Sequence, residues 1–76
     1  MKTFVWTEDM APEFAKLSDG SMTFFSYPDL DNYSSGDQIH HKTRLGTSVF
    51  EIIEIAQANL RHFDPSLQRI TAKKLD

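Results

Sequence analysis

Hydrophobic and polar residues alternate with two different periods along this 76-residue chain. Residues 48–63 place apolar side chains at steps of three and four, the spacing of one face of an α-helix. Ser48 and Glu51 form the S-x-x-E pattern of a capped helix start, and Asp64-Pro65 disfavours further helix. The pattern therefore predicts a long amphipathic helix over 48–63. Its predicted buried face consists of Val49, Ile52, Ile53, Ala56, Leu60 and Phe63.

Two large apolar residues, Phe50 and Ile55, fall outside this predicted face. A helix that only covers a core does not need them, so both are candidate contacts for a partner protein. Phe50 borders the buried face and also fits the rim of a core. Ile55 is therefore the better interface candidate of the two.

Three other segments alternate with the period of two that is typical of strands. Residues 2–7, 21–27 and 38–45 are each predicted to form a strand. In 38–45 the alternation places a basic row, His40, Lys42 and Arg44, on one face. In 21–27 aromatic residues occur on both faces, so either both faces are covered or one is exposed for binding.

Residues 11–18 predict a short helix that begins near Pro12 and ends before Gly20. The tail, residues 65–75, fits either a strand or a helix. The predicted fold class is α+β: a small antiparallel sheet of three or four strands packed against one long helix and one short helix. With a strand in the tail, the order becomes the βαββαβ of the ferredoxin-like fold. With a helix there, the sheet is covered by helices alone.

The segment 28–37 is rich in turn-forming residues and is expected to be an exposed loop. It departs from the EF-hand calcium pattern, because Tyr33 and His40 occupy two ligand positions and Gly36 comes two residues late. We therefore interpret it as a solvated acidic loop. Its candidate partner-binding residues are Asp29, Asp31, Tyr33 and Asp37.

Charge is distributed unevenly along the sequence. Residues 1–37 contain seven acids and two bases, a balance of −5, whereas residues 38–76 contain six bases and four acids, a balance of +2. An acidic first half can form a surface that docks on a basic partner, although folding can also mix the two halves.

No pattern in the sequence predicts catalysis, and we expect neither a metal ion nor a cofactor. The adjacent His40 and His41 would face opposite sides of a strand, so they cannot share a metal ion. Glu51 and Glu54 would lie on a solvated helix face, which lacks the pocket that a pair of carboxylates needs for acid–base catalysis. Nucleophile, phosphate-loop and dinucleotide motifs do not occur. The expectation is a protein that is not an enzyme.

Single-stranded nucleic acid is the alternative partner. Stacking and charge could be supplied by Trp6, Phe25, Lys42 and Arg44. The acidic isoelectric point, near 5.5, argues against it, because a basic surface is the usual sign of nucleic-acid binding.

Length and composition predict one domain over residues 1–76. The chain has no cysteine, so disulfides cannot stabilise its small core, and a homodimer is a natural way to do so. Neither a signal peptide nor an apolar membrane span is evident, so we expect a cytoplasmic protein without membrane contact. The sequence thus predicts a non-catalytic protein–protein interaction module, with a small acidic inhibitor or adaptor as the sharper hypothesis.

Overall fold

The structure is a computed structural model that describes residues 1–29 and 31–75. These residues form strands and turns and contain no helix. The six strands are β1 (Thr3–Thr7), β2 (Phe14–Lys16), β3 (Met22–Ser26), β4 (Gln38–Thr43), β5 (Gly46–Gln57) and β6 (Gln68–Lys74). Across the described ranges, no helix is long and apolar enough to cross a membrane.

All six strands belong to one mixed sheet with the order β1-β4-β5-β6-β3-β2. The edge strand β1 runs parallel to β4, and every other neighbouring pair is antiparallel. The sheet curls into a half-barrel, so its two edges approach each other. The rings of Trp6 on β1 and Phe14 on β2 lie 5.9 Å apart across this gap.

The core lies on the concave face of the curled sheet. Alternate residues of each strand point inward, as the pleat requires, and the register aligns them in rows such as Phe24, Ile70 and Ile55. The buried hydrophobic cluster comprises Trp6, Met22, Phe24, Tyr33, Ile39, Phe50, Ile52, Ile70 and Ala72.

The predicted helix over 48–63 is wrong, because this segment contains most of β5, the longest strand. A β-bulge between Ile52 and Glu54 inserts one extra residue, so the inward positions run Phe50, Ile52 and then Ile55. The resulting mixture of two- and three-residue steps resembled a helical stripe. Ser48 does not cap a helix but pairs with His41 on β4.

The predicted helix over 11–18 is also wrong. Phe14–Lys16 form β2, which pairs with β3 through a tight turn that closes with a hydrogen bond from the Gly20 amide to the Leu17 carbonyl (3.1 Å). Gly20 adopts a φ of 88°, which favours glycine. A segment this short takes its conformation from tertiary pairing, and Phe14 packs inward on the core cluster.

The three predicted strands are present in shortened form as β1, β3 and β4, and the tail forms strand β6. The α+β class and the ferredoxin-like order are nevertheless wrong, since both predicted helices are replaced by strands. The chain instead forms a single-sheet, all-β fold in its described residues.

Neighbouring isoleucines distinguish strand from helix in β5. In the predicted helix Ile52 and Ile53 shared the buried face, whereas in the structure Ile52 is 1% exposed and Ile53 is 49% exposed. We expect Ile52→Ala to lower the free energy of unfolding by about 2–5 kcal/mol, because it leaves a core cavity. Ile53→Ala should cost less than about 1 kcal/mol. Urea unfolding of both variants measures this, and equal losses would contradict the strand.

Candidate functional site

An apolar cleft of about 350 Å³ opens where the two edges of the curled sheet face each other. It exists because β2 pairs with β3 only up to Phe24, which leaves Phe25 and the residues after it without a neighbour on that side. The free edge of β1 forms the opposite wall. The cleft is lined by Phe4, Val5, Trp6, Met10, Pro12, Phe25, Ser26, Tyr27, Asp31, Tyr33 and Leu67.

The rings of Phe4, Trp6 and Tyr33 line the buried side of this cleft, and the Phe24 ring packs behind them. The Trp6 indole meets the Phe24 ring edge-on, with 4.8 Å between ring centroids, and the Phe4 and Tyr33 rings are 4.3 Å apart. Tyr33 also contacts Phe24 edge-on at 5.2 Å. Trp6, Phe24 and Tyr33 belong to the buried hydrophobic cluster and Phe4 packs against it, so core packing positions these rings.

Tyr33, predicted as a partner-binding residue on an exposed loop, is only 6% exposed. Burial raises the pKa of its phenol. A hydrogen bond from the Trp6 indole lowers this pKa and so opposes the rise, whereas the nearby Asp31 carboxylate raises it further. Tyr33 therefore anchors the loop to the core while still lining the cleft. The prediction of an exposed loop was correct for its neighbours Asp31 and Asn32 but not for Tyr33.

Asp37, a second predicted partner-binding residue, is 3% exposed and has a structural role. Its carboxylate accepts hydrogen bonds from the backbone amides of Lys2 and Ser34, both at 2.9 Å. The Lys2 and Ser34 amide bonds lower the pKa of the Asp37 carboxyl, with the positive charge of Lys2 adding to the effect, although burial opposes it. Asp37 thus joins the start of β1 to the end of the loop and is not available to a partner.

An acidic residue lines the cleft, and exposed acids lie within two residues of other lining residues in the sequence. Asp31 is the one charged residue that lines it among those described, and Asp29 is exposed in the same loop. On the β1–β2 connection, Asp9 and Glu13 are exposed and flank the lining residues Met10 and Pro12. The Lys2 ammonium lies 5.4 Å from the centre of the Phe4 ring and donates a hydrogen bond to the Asn32 carbonyl. An apolar pocket with an acidic border favours a ligand that is apolar in the middle and basic at its ends.

Phe50 and Ile55, the candidate contacts from the predicted helix, both point into the monomer. Phe50 is 4% exposed in the core, and Ile55 is half-buried and packs against the same cluster. Neither residue lines the cleft. Of the predicted partner-binding residues, those exposed on the acidic loop, Asp29 and Asp31, are therefore better placed to meet a partner than Phe50 and Ile55.

The four residues proposed to bind nucleic acid do not form one surface. Trp6 and Phe25 both line the cleft, although Trp6 is 5% exposed. Lys42 belongs to β4 and Arg44 to the β4–β5 turn. Phe25 on β3 is separated from β4 by two strands, roughly 14 Å at ordinary strand spacing. Trp6 lies on β1 directly beside β4, but it pairs with His41, so the exposed side chain of the next residue, Lys42, points to the other face of the sheet. The bases and the aromatic rings therefore do not share one face as a stacking platform requires.

Groups that could support catalysis are dispersed or engaged locally. His41 packs against the Phe14 ring at 5.3 Å, while His40 lies on the opposite face of β4. The hydroxyl of Ser66 donates to Asp64 two residues away, an arrangement typical of turns. Within residues 1–29 and 31–75, no group of three or more histidines, aspartates and glutamates could hold a metal ion.

Sequence reasoning missed the cleft itself. Aromatic residues on both faces of the strand over 21–27 were its signal, since Phe24 packs in the core while Phe25 is 44% exposed beside the cleft. Locating the cleft also required knowing that β1 and β3 face each other, which follows from the long-range order of the sheet.

Comparisons with known proteins yield no match for this chain among protein-family models, curated proteins or solved structures. The cleft is therefore the feature from which function can be inferred.

The bonds to Asp37 give a prediction about stability. Asp37→Ala should lower the free energy of unfolding by about 1–3 kcal/mol, because it leaves the amides of Lys2 and Ser34 without their acceptor. Asp29→Ala, at an exposed position in the same loop, should change it by less than about 0.5 kcal/mol. Urea unfolding at pH 7 measures both, and equal effects would rule out the anchoring role.

The same carboxylate gives a pH dependence. Because its pKa is lowered in the folded protein, its contribution to stability is present above the ordinary aspartate pKa of about 3.9 and is lost as the pH falls through the folded value. The difference in stability between the wild type and Asp37→Asn should therefore shrink between about pH 5 and pH 2. Urea unfolding across this range measures it, and a constant difference would contradict the assignment.

Proposed function

We propose that this protein is a non-catalytic protein-binding module that holds a basic segment of a partner protein in its acidic aromatic cleft. The observation that carries the proposal is the combination of a preformed apolar cleft with exposed acids along its border. A small inhibitor or adaptor works in this way, since it needs one binding surface and no reaction chemistry.

The cleft can supply affinity and its border can supply selectivity. Aromatic side chains such as Phe25 and Tyr27 offer apolar contact area at a low cost in conformational entropy. The carboxylates of Asp29 and Asp31 attract basic residues and repel acidic ones, an effect that salt weakens.

The cellular location is part of the same proposal. We place the protein in the cytoplasm, supported by a sequence of 76 residues without cysteine, which suits a reducing compartment.

Selection from a random 12-residue peptide library displayed on phage tests this function and does not require the partner to be identified first. We expect enriched peptides that combine aromatic or branched apolar residues with lysine or arginine. A labelled mixed-sequence 20-nucleotide DNA strand, titrated at low and moderate salt, serves as the competing probe. Failure to enrich peptides would overturn the proposal. Tighter binding of the DNA strand, with a steep salt slope, would overturn it in favour of the nucleic-acid alternative.

The acidic border can be tested with the best peptide from that selection. The double variant Asp29→Asn/Asp31→Asn should bind it about two- to thirtyfold more weakly and with a flatter salt dependence, since each exposed pair contributes about 0.2–1 kcal/mol. Asp37 is excluded from this variant because its carboxylate is structural.

The matched control is Glu51→Gln/Glu54→Gln, which removes the same charge from β5; the Glu54 carboxylate there forms an exposed ion pair with Arg69. Isothermal titration calorimetry at two salt concentrations compares the variants. Equal losses in both would mean that net charge, rather than the border of the cleft, attracts the peptide.

A further inference from the structure

The outer edge of β1 is only partly paired: the Thr7 carbonyl accepts hydrogen bonds from the Met10 and Ala11 amides. Among the described residues, the backbone groups of Thr3 and Val5 have no strand partner on this side. The Gln38 amide donates to the Lys2 carbonyl at 2.9 Å, and the register of the parallel pair then directs the backbone groups of Phe4 and Trp6 toward β4. Those of Thr3 and Val5 alternate with them and face the opposite way, into the gap between the sheet edges. β1 has one strand neighbour, β4, in the described part of the chain.

The far side of the gap is also open. β3 pairs with β2 from Met22 to Phe24 only, and Phe25, Ser26 and Tyr27 line the cleft instead. The two edges therefore meet through the side chains of Trp6, Phe14 and Phe24, with no strand pairing between them among the described residues.

Before Thr7, where the β1–β2 connection bonds to the edge, β1 lacks three features that proteins use to block strand addition. Exposed edges are commonly protected by charged residues, proline or a bulge. The sequence Thr3–Thr7, TFVWT, contains no charged residue and no proline, and its register with β4 is regular. Val5, whose backbone faces the gap, also has a half-exposed side chain (52%).

From these features we infer that the partner segment binds in an extended conformation, as an additional strand paired with the free edge of β1. This inference rests on the proposed function and specifies the chemical class of the ligand: an extended peptide with alternating apolar side chains and basic flanks. Backbone bonds to Thr3 and Val5 supply affinity, and alternate side chains of the peptide enter the aromatic cleft. The basic flanks approach the acids on the two loops that border the cleft.

N-methylation of the selected peptide tests the backbone pairing with the wild-type protein. Each N-methyl group removes one amide donor and leaves the side chain in place. Binding should fall by at least tenfold at alternate positions of the central segment and by less than threefold at the positions between them. Unmethylated peptide is the control, and calorimetry measures the affinities.

The Val5 amide gives a second, independent readout. By NMR hydrogen exchange, its rate should fall at least tenfold when the peptide is added, while the rates of Phe4 and Trp6, already paired with β4, change less. Val5→Pro removes this donor without removing a bond to β4, since proline is tolerated at such edge positions. It should weaken peptide binding at least tenfold, whereas Val5→Thr, which keeps the amide, should have an effect of less than threefold.

The outcomes separate this inference from the proposed function. If peptides bind and depend on Asp29 and Asp31, but N-methylation shows no alternation and the Val5 amide is unaffected, strand addition is wrong and the proposed function stands. If no peptide is enriched, both are wrong. If the Val5 amide becomes protected on raising the protein concentration alone, the edge pairs with a second copy, which overturns the peptide as occupant.

Discussion

The contact of Trp6 with the opposite sheet edge is the interaction on which the rest of this structure depends. A curled sheet of six strands has two edges, and in the described residues these edges meet through aromatic side chains with no strand pairing between them. Trp6 packs against Phe14 and Phe24, and it shares the buried hydrophobic cluster with Tyr33. The core is closed at this point because a large side chain spans a gap that no strand fills.

This mode of closure leaves the apolar cleft as its consequence. If β2 were longer, it would extend along β3 and cover the wall formed by Phe25 and Tyr27. Because it ends after three residues, the core cluster remains accessible from one side through the cleft. Trp6 and Tyr33 belong both to the buried core cluster and to the lining of the cleft, so the fold itself positions part of the cleft wall.

The bulge in β5 explains both the curvature of the sheet and the main error of sequence reasoning. It shifts the inward positions by one residue between Ile52 and Ile55, and bulges increase the local twist that curls a sheet. In the sequence the same shift mimics helical spacing, and Ser48 with Glu51 mimics a cap. The β-branched residues abundant in 47–55 are typical of a strand, but our prediction relied on the apolar spacing and the cap pattern alone.

Local patterning was sufficient where the strands alternate without interruption, as in β1 and β4. It could not reveal which strands face each other, because the parallel pairing of β1 with β4 joins residues 35 positions apart. The acidic character of the loop was evident from the sequence. That Asp31 is exposed whereas Asp37 is buried was not. The carboxylate of Asp37 turns inward because the amide of Lys2, distant in sequence, offers it a hydrogen bond.

A crystal structure of the protein with its best selected peptide would show both the occupant of the cleft and its backbone conformation. We expect an extended peptide that is hydrogen-bonded to the backbone of Val5, with alternate side chains against Trp6 and Tyr27. A peptide bound on another face of the sheet, or bound in the cleft as a helix, would contradict binding by strand addition at this edge.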